Sequence, residues 1–283
     1  AVFTAVADED RQFAGRLAQP YQPAALGALA DRQQATAEAA LKYQQNREKK
    51  LDQQTPSATP VVVVVKPVAD GLKAHGVRPI ARLDKLGLFN ERMIAVHMVH
   101  LDETEIELMA KKGVHLVHNP NSNLKLASGV MPLKALEAAG VNTILGTDGA
   151  ASNNRLDMFQ EMRQAALLAK IQSGQAEALP ASHALWMATL GGARALGLDA
   201  RIGSLIPGKE ADLCAVRLDG PGLLPCYSPL SHLVYTAGRE QVSHVWVAGQ
   251  PRVIEGRLQD IDEQNLYSSA RLWQNKLVAE TKT

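Results

Sequence analysis

Three places in the sequence combine chemistry-bearing side chains with the end of a short apolar run: His97 and His100 in IAVHMVH, His118 and Asn119 in VHLVHN, and Asp148 in NTILGTDGAASNN. An imidazole binds metals and moves protons near neutral pH. A carboxylate held at such a place can bind a divalent cation and accept a proton from water whose pKa that cation has lowered. Asp148 is the sharpest of the three, because the apolar run before it leaves the carboxylate little freedom. It also has a plainer reading as the cap of the following helix, for which Ser152, Asn153 and Asn154 compete. His97 is preferred to His100, since alternation along a strand puts His97 and Val99 on one face and turns His100 away. A hydrogen-bonded structural imidazole remains the plain alternative for any one of these histidines. The segment HNPNSNLKLASG, containing His118, Asn119, Ser122 and Asn123, is expected to be a loop between a strand and a helix, where substrate-positioning loops occur. An ordinary Asx-turn loop has the same spacing.

These residues need rigid carriers, and the sequence supplies candidates. Val61 to Val65 is a β-branched run without polar alternation, as expected of a strand buried on both faces. Further strands are predicted over Ile94–His100, Val114–His118 and Val141–Thr147. Between them, a helix and a loop containing GVRPI are predicted over Val68–Leu86, a helix over Asp102–Lys112 with Asp102 as cap and Glu105 closing a capping box, and another over Pro132–Ala139. Helices follow over Leu156–Ser173, where Met158 and Met162 read as core, and over Pro180–Leu196. Strand and helix alternating in this way is the pattern of a parallel α/β fold. In a parallel barrel the loops after the strands converge on one mouth, which is where His97, His118 and Asp148 would meet. After Gly197 a small β region is predicted, with AGQ as a hairpin turn, and a helix over Gln264–Glu280 follows. Residues 1–60 form a separate Ala- and Gln-rich segment with a polar helix predicted over 31–54.

The chain has 283 residues, 46% of them apolar, enough to bury a sizeable core. Lys and Arg total 30 against 29 Asp and Glu, so no net field draws it to nucleic acid or to an acidic membrane surface. No run of eighteen apolar residues is present, and the first residues lack the basic and apolar regions of a signal peptide. With two cysteines, Cys214 and Cys226, neither a four-sulfur metal site nor a disulfide scaffold is available. These features together lead to the expectation of a cytoplasmic protein.

The motifs AVHMVHL, VHLVHNPNSNLKLASG, ILGTDGAASNNRLDMFQEMR, ATLGGARALGL and IGSLIPGKEADLCAV resemble the C-terminal part of the amidohydrolase superfamily over about residues 68–258. The resemblance is to 5-methylthioadenosine/S-adenosylhomocysteine deaminases and the related chlorotriazine and guanine hydrolases. It implies a partial (β/α)₈ metal-dependent hydrolase barrel over 61–200, a small β-sandwich portion over 201–260 and a terminal helix over 261–283. It further implies one zinc ion, a small nucleoside as substrate, and hydrolysis of the amidine carbon of adenine with loss of ammonia. Asp148 matches the family's last metal ligand and proton acceptor, and His97 its histidine that hydrogen-bonds the attacking water. His118, Asn119, Ser122 and Asn123 become the expected substrate contacts. The N-terminal half of the family pattern has no counterpart: no HxH pair occurs, and Pro60 and Val63 align where a ligand histidine and a proton-shuttling glutamate belong. Two other functions fit the same motifs. One is a non-catalytic half-barrel that binds a nucleoside or a protein partner, and the other a hydrolase of a triazine, guanine or another cyclic amidine. An exposed sheet edge in half a barrel favours a homo-oligomer.

Overall fold

The structure, a computed structural model, describes residues 61–64 and 68–280; the helix predicted over 31–54 lies outside them. Four strands, β1 (Val61–Val64), β2 (Met93–Val96), β3 (His115–His118) and β4 (Thr143–Leu145), pair in chain order as one parallel sheet. Parallel neighbours require a crossover between them. Here α1 (Val68–His75) and α2 (Pro79–Lys85) join β1 to β2, and α3 (Glu103–Lys112) joins β2 to β3. The connection from β3 to β4 contains α4 (Pro120–Lys125) and α5 (Leu133–Ala138). The sequence called the first half of that connection a loop. Pro120, at the first helical position with its ring φ preset and no amide to satisfy, starts a helix there instead.

Alternation along the strands separates two apolar faces. Met93, Ala95, Leu116 and Leu145 join the main core with Met109, Leu133, Leu136 and Phe159, whereas Ile94 and Ile144 pack with Ala195 and Val117 on the other side. The main core covers one face, whereas on the other Ala195 packs on Ile94 and Ile144 and leaves Val96 and Val117 half-buried. α3 has the expected capping box between Asp102 and Glu105 and ends at Gly113, whose φ of 67° few other residues adopt.

β3 starts one residue later than predicted, at His115, and β2 and β4 are shorter still. β2 stops at Val96 because His97 and Met98 turn into the left-handed region, with φ of 70° and 41°. β4 keeps only three residues. The single helix expected over Pro180–Leu196 is two, α7 (Ala181–Ala188) and α8 (Leu190–Ala195), parted at Thr189. The Thr189 hydroxyl donates to the Leu185 carbonyl at 2.7 Å, a back-bond known to bend helices.

The longest helix of the layer, α6 (Met158–Ser173), follows β4 after the segment 146–157 and buries Met162 as expected. Asp157 caps it by accepting hydrogen bonds from the amides of Phe159 and Gln160 at 3.0 and 3.4 Å. Asp157→Ala should therefore cost about 1 kcal/mol of stability, read from the urea midpoint at unchanged m-value.

Beyond α8 a second sheet is antiparallel throughout, in the order β5 (Leu213–Val216), β6 (Val242–Val247), β7 (Gln250–Ile254), β8 (Arg257–Leu258). The β6–β7 hairpin turns at Ala248 and Gly249, both with positive φ as a type I′ turn demands. Helix α9 (Pro229–Tyr235) lies between β5 and β6, and α10 (Glu263–Glu280) follows β8 with Leu272 and Trp273 exposed.

Candidate functional site

The register aligns the carboxyl ends of β2, β3 and β4. His97 donates its amide to the Val117 carbonyl, and Gly146 donates to the His118 carbonyl, each at 3.0 Å, so each ladder continues one bond past the strand. Strict alternation would send the His97 side chain to the face of Met93 and Ala95. It does not go there. The Met98 amide donates to the Val96 carbonyl at 3.0 Å, closing a three-residue γ-turn about His97 in the strained form with positive φ. The turn leaves His97 27% exposed, with Nε2 3.8 Å from Asp148 Oδ2. Nδ1 of the same ring lies 2.9 Å from Asn123 Oδ1 on α4. Since that amide oxygen can only accept, the bond assigns the ring proton to Nδ1 and leaves Nε2 of a neutral ring as an acceptor toward Asp148.

Asp148 also sits in the left-handed region, at φ 60°. Oδ2 accepts hydrogen bonds from the hydroxyls of Ser122 and Ser152, both at 2.7 Å, and Oδ1 accepts from the Gly149 amide at 2.7 Å. It caps no helix, because Asp157 occupies that place on α6. Partial burial alone would raise the carboxyl pKa, but the three hydrogen bonds and the charge of His97 together hold it below its usual range. Strained backbone at both members of a facing pair is the kind of outlier that functional sites store. Close packing brings the two loops together. A Cβ on Gly146 would lie 2.8 Å from Val117 Cγ1 and 3.0 Å from Asn119 Nδ2, too near for any other residue.

The four residues expected to contact substrate are all buried. Ser122 and Asn123 reach Asp148 and His97 from α4, each through one hydrogen bond, and so act on the pair rather than on the open surface. His118 shares its face with Leu116 and Leu145 and is fully buried. Burial, followed by the charge of His97, pushes its imidazole down to about 4, so it is neutral at ordinary pH. Asn119 is 2% exposed beneath Gly146. His100, the weaker candidate, contributes its carbonyl: Arg78 donates to it at 2.7 Å while gripping both oxygens of Glu105 at 2.6 and 2.8 Å. This clamp fixes the loop after His97, which lines a cavity of about 360 Å³ together with Ile80, Val99, Leu101 and Glu105.

Sequence reasoning overlooked Glu161, which is fully buried on α6. Its carboxylate accepts from Asn121 Nδ2 at 2.8 Å, the Asn121 amide at 3.2 Å and Asn153 Nδ2 at 2.6 Å. The signal was present in the helical period, because Glu161 falls among Met158, Met162 and Ala165 on the apolar face of the helix.

A catalytic zinc site takes three protein ligands as a rule. Here one carboxylate and one imidazole face each other, and among the described residues no three His, Cys, Asp or Glu side chains are grouped to hold a metal. The described residues therefore do not fit a zinc site by themselves.

Comparison with known proteins gives the architecture its relatives. The chain is 45% identical over 213 residues to the 5-methylthioadenosine/S-adenosylhomocysteine deaminase of Teredinibacter turnerae, covering 75% of this chain and 48% of that protein. It is 46% identical to the 5′-deoxyadenosine deaminase of Methanothermobacter thermautotrophicus, over 70% of this chain and 46% of that protein. Among solved structures, an adenosine deaminase from Xanthomonas campestris with bound zinc superimposes with a TM-score of 0.76 at 51% identity, covering 78% of this chain and 51% of that one. A zinc complex of atrazine chlorohydrolase from Arthrobacter aurescens gives 0.72 at 26% identity, over 83% and 50% of the two chains. The chain thus spans about half the length of the curated relatives it matches. Residues 68–252 match the amidohydrolase family, and with that match covering well over half of the sequence the chain belongs to this family.

Proposed function

We propose that this chain carries the C-terminal part of a hydrolytic aminohydrolase site for adenosine-type nucleosides, within a partial (β/α)₈ barrel. Asp148 is its proton acceptor and His97 the group that orients the attacking water. The observation that carries this reading is the facing pair, Nε2 and Oδ2 at 3.8 Å. That separation exceeds a direct hydrogen bond, so a third group can lie between the two atoms, with Oδ2 also accepting from Ser122 and Ser152. A water between them would donate one proton toward Nε2 and the other toward Oδ2, turning a lone pair outward. Attack on the amino-bearing carbon of adenine forms the C–O bond and breaks the ring C=N π bond, its pair moving onto the ring nitrogen until it re-forms the double bond as ammonia leaves. A water proton passes to Asp148 during the attack. Return of that proton to the amino nitrogen breaks the C–N bond, giving ammonia and an inosine-type product. The Asn123 contact keeps the imidazole in the tautomer this requires, and the Ser122 and Ser152 hydroxyls keep the carboxylate aimed. The zinc-bound neighbours support zinc in this family, and Asp148 is the ligand that this chain would contribute.

Ammonia release from 5-methylthioadenosine, S-adenosylhomocysteine and 5′-deoxyadenosine, measured beside the zinc content of the purified protein, tests the reading. Release of one ammonia per inosine-type product is expected. A second reading, nucleoside binding without turnover, is favoured by valine at position 63 of β1, where the resemblance places a proton-shuttling glutamate. It predicts a saturable nucleoside complex in equilibrium dialysis and no ammonia. Absence of both ammonia and binding overturns both readings.

A further inference from the structure

Asp148 stands on a segment without regular structure, residues 146–157, yet its aim must be fixed to within a fraction of an ångström for the chemistry proposed. Two links hold that segment and the start of α4 to a common point. Asn153 Nδ2 donates both to the Thr147 carbonyl, the residue before Asp148, at 2.9 Å and to Glu161 Oε1 at 2.6 Å. Asn121, the residue before Ser122, gives its amide and its side chain to the two oxygens of the same Glu161. Ser122 in turn donates to Asp148. The result is a closed circuit running from Glu161 through Asn121 and Ser122 to Asp148, then back through Thr147 and Asn153.

Resting on the reading that Asp148 and His97 are working groups, we infer that Glu161 is a positioning residue, a buried carboxylate that locks the two segments flanking Asp148 into one geometry. Stability alone does not explain such a group. Burying a carboxylate is costly, and an apolar side chain of similar size is as good or better for the fold. Burial does push the Glu161 carboxyl up, against the pull of its Asn121 and Asn153 partners. What an apolar residue cannot supply is a point accepting from two loops at once. A group acting through others in this way affects the aligned state more than substrate uptake, and outer-shell partners of this kind are typically worth 10–100-fold in activity.

Glu161→Gln keeps the shape but replaces one acceptor oxygen with a donor facing donors. It should lower kcat for 5-methylthioadenosine deamination by about 10–100-fold with KM within about threefold. Asn153→Ala, which removes the bridge between Glu161 and the Thr147 carbonyl while leaving the Asn121 bonds to Glu161 in place, should act in the same direction. Hydrogen exchange gives a readout independent of turnover. In both variants the amides of residues 121–123 and 147–153 should exchange faster, while those of β3 and β4 keep their protection. Uniform loss of protection across the sheet, or local protection equal to that of the parent protein, overturns the inference. So does an unchanged kcat in a parent that deaminates. If the parent releases no ammonia, the function proposed above fails, and the exchange pattern still decides the role of Glu161.

Discussion

On the function proposed above, Asp148→Asn is expected to lower kcat for nucleoside deamination by about 10²–10⁴-fold, the range a positioned acid–base group supplies. The substitution is nearly isosteric: the remaining amide oxygen still accepts from the rotatable hydroxyls of Ser122 and Ser152, while the new amino group loses only the bond from the Gly149 amide. The side chain is 32% exposed, so unfolding free energy should change by no more than about 1 kcal/mol. What disappears is the negative charge. The parent carboxyl is held ionised because three hydrogen bonds and His97 outweigh the burial that would raise its pKa. An asparagine cannot take a proton from water at any accessible pH. Steady-state kinetics beside a urea titration separates loss of chemistry from loss of fold, and a kcat within threefold of the parent would remove Asp148 from the mechanism.

Glu161→Ala is expected to have the largest effect on stability, about 3 kcal/mol or more, because it leaves buried neutral donors without an acceptor. Truncation strands three donors, the Asn121 amide and the side-chain nitrogens of Asn121 and Asn153, in a place that is closed to solvent. Each costs roughly 1–3 kcal/mol when left without an acceptor. The same residue sets a pH dependence whose sign follows from its environment. Burial, with a smaller contribution from Asp157, raises the folded-state carboxyl above its ordinary value of 4.5. The folded protein therefore holds that proton more tightly than the unfolded chain does. Stability falls as pH rises from about the ordinary value through the raised one, and then levels. Glu161→Gln removes this slope. A parent and variant with parallel stability profiles between pH 4 and pH 8 would show that Glu161 does not titrate as its burial requires.

The strands and their order were legible because a buried parallel strand leaves an apolar signature that few other elements share. VVVVV, the IAV of IAVHMVH and TILG read that way at once. The capping box at Asp102 and the hairpin at Ala248–Gly249 were equally readable, since each depends on residues close in sequence. Lengths were not. Nothing in IAVHMVH states that His97 adopts φ 70°, because the turn is held by contacts from Val117 and Asn123 that lie twenty or more residues away. The same limit hid Ser152 and Asn153. Both were weighed as helix caps, a local role, whereas their partners are the Asp148 carboxylate, the Thr147 carbonyl and a glutamate on the next helix. Pairing His97 with Asp148 came from strand ends and family motifs. Ser122 and Asn123, expected from the Asn-rich segment to contact a ligand, hydrogen-bond the two members of that pair.

The γ-turn at His97 carries a consequence for anyone engineering this chain. A left-handed backbone at an imidazole-bearing residue is a place where glycine would relax the polypeptide, by an amount on the order of 1–3 kcal/mol. Selection for heat tolerance alone would drift toward removing the ring, so a thermostabilised library needs position 97 locked, or it will enrich hardy proteins with nothing facing the aspartate.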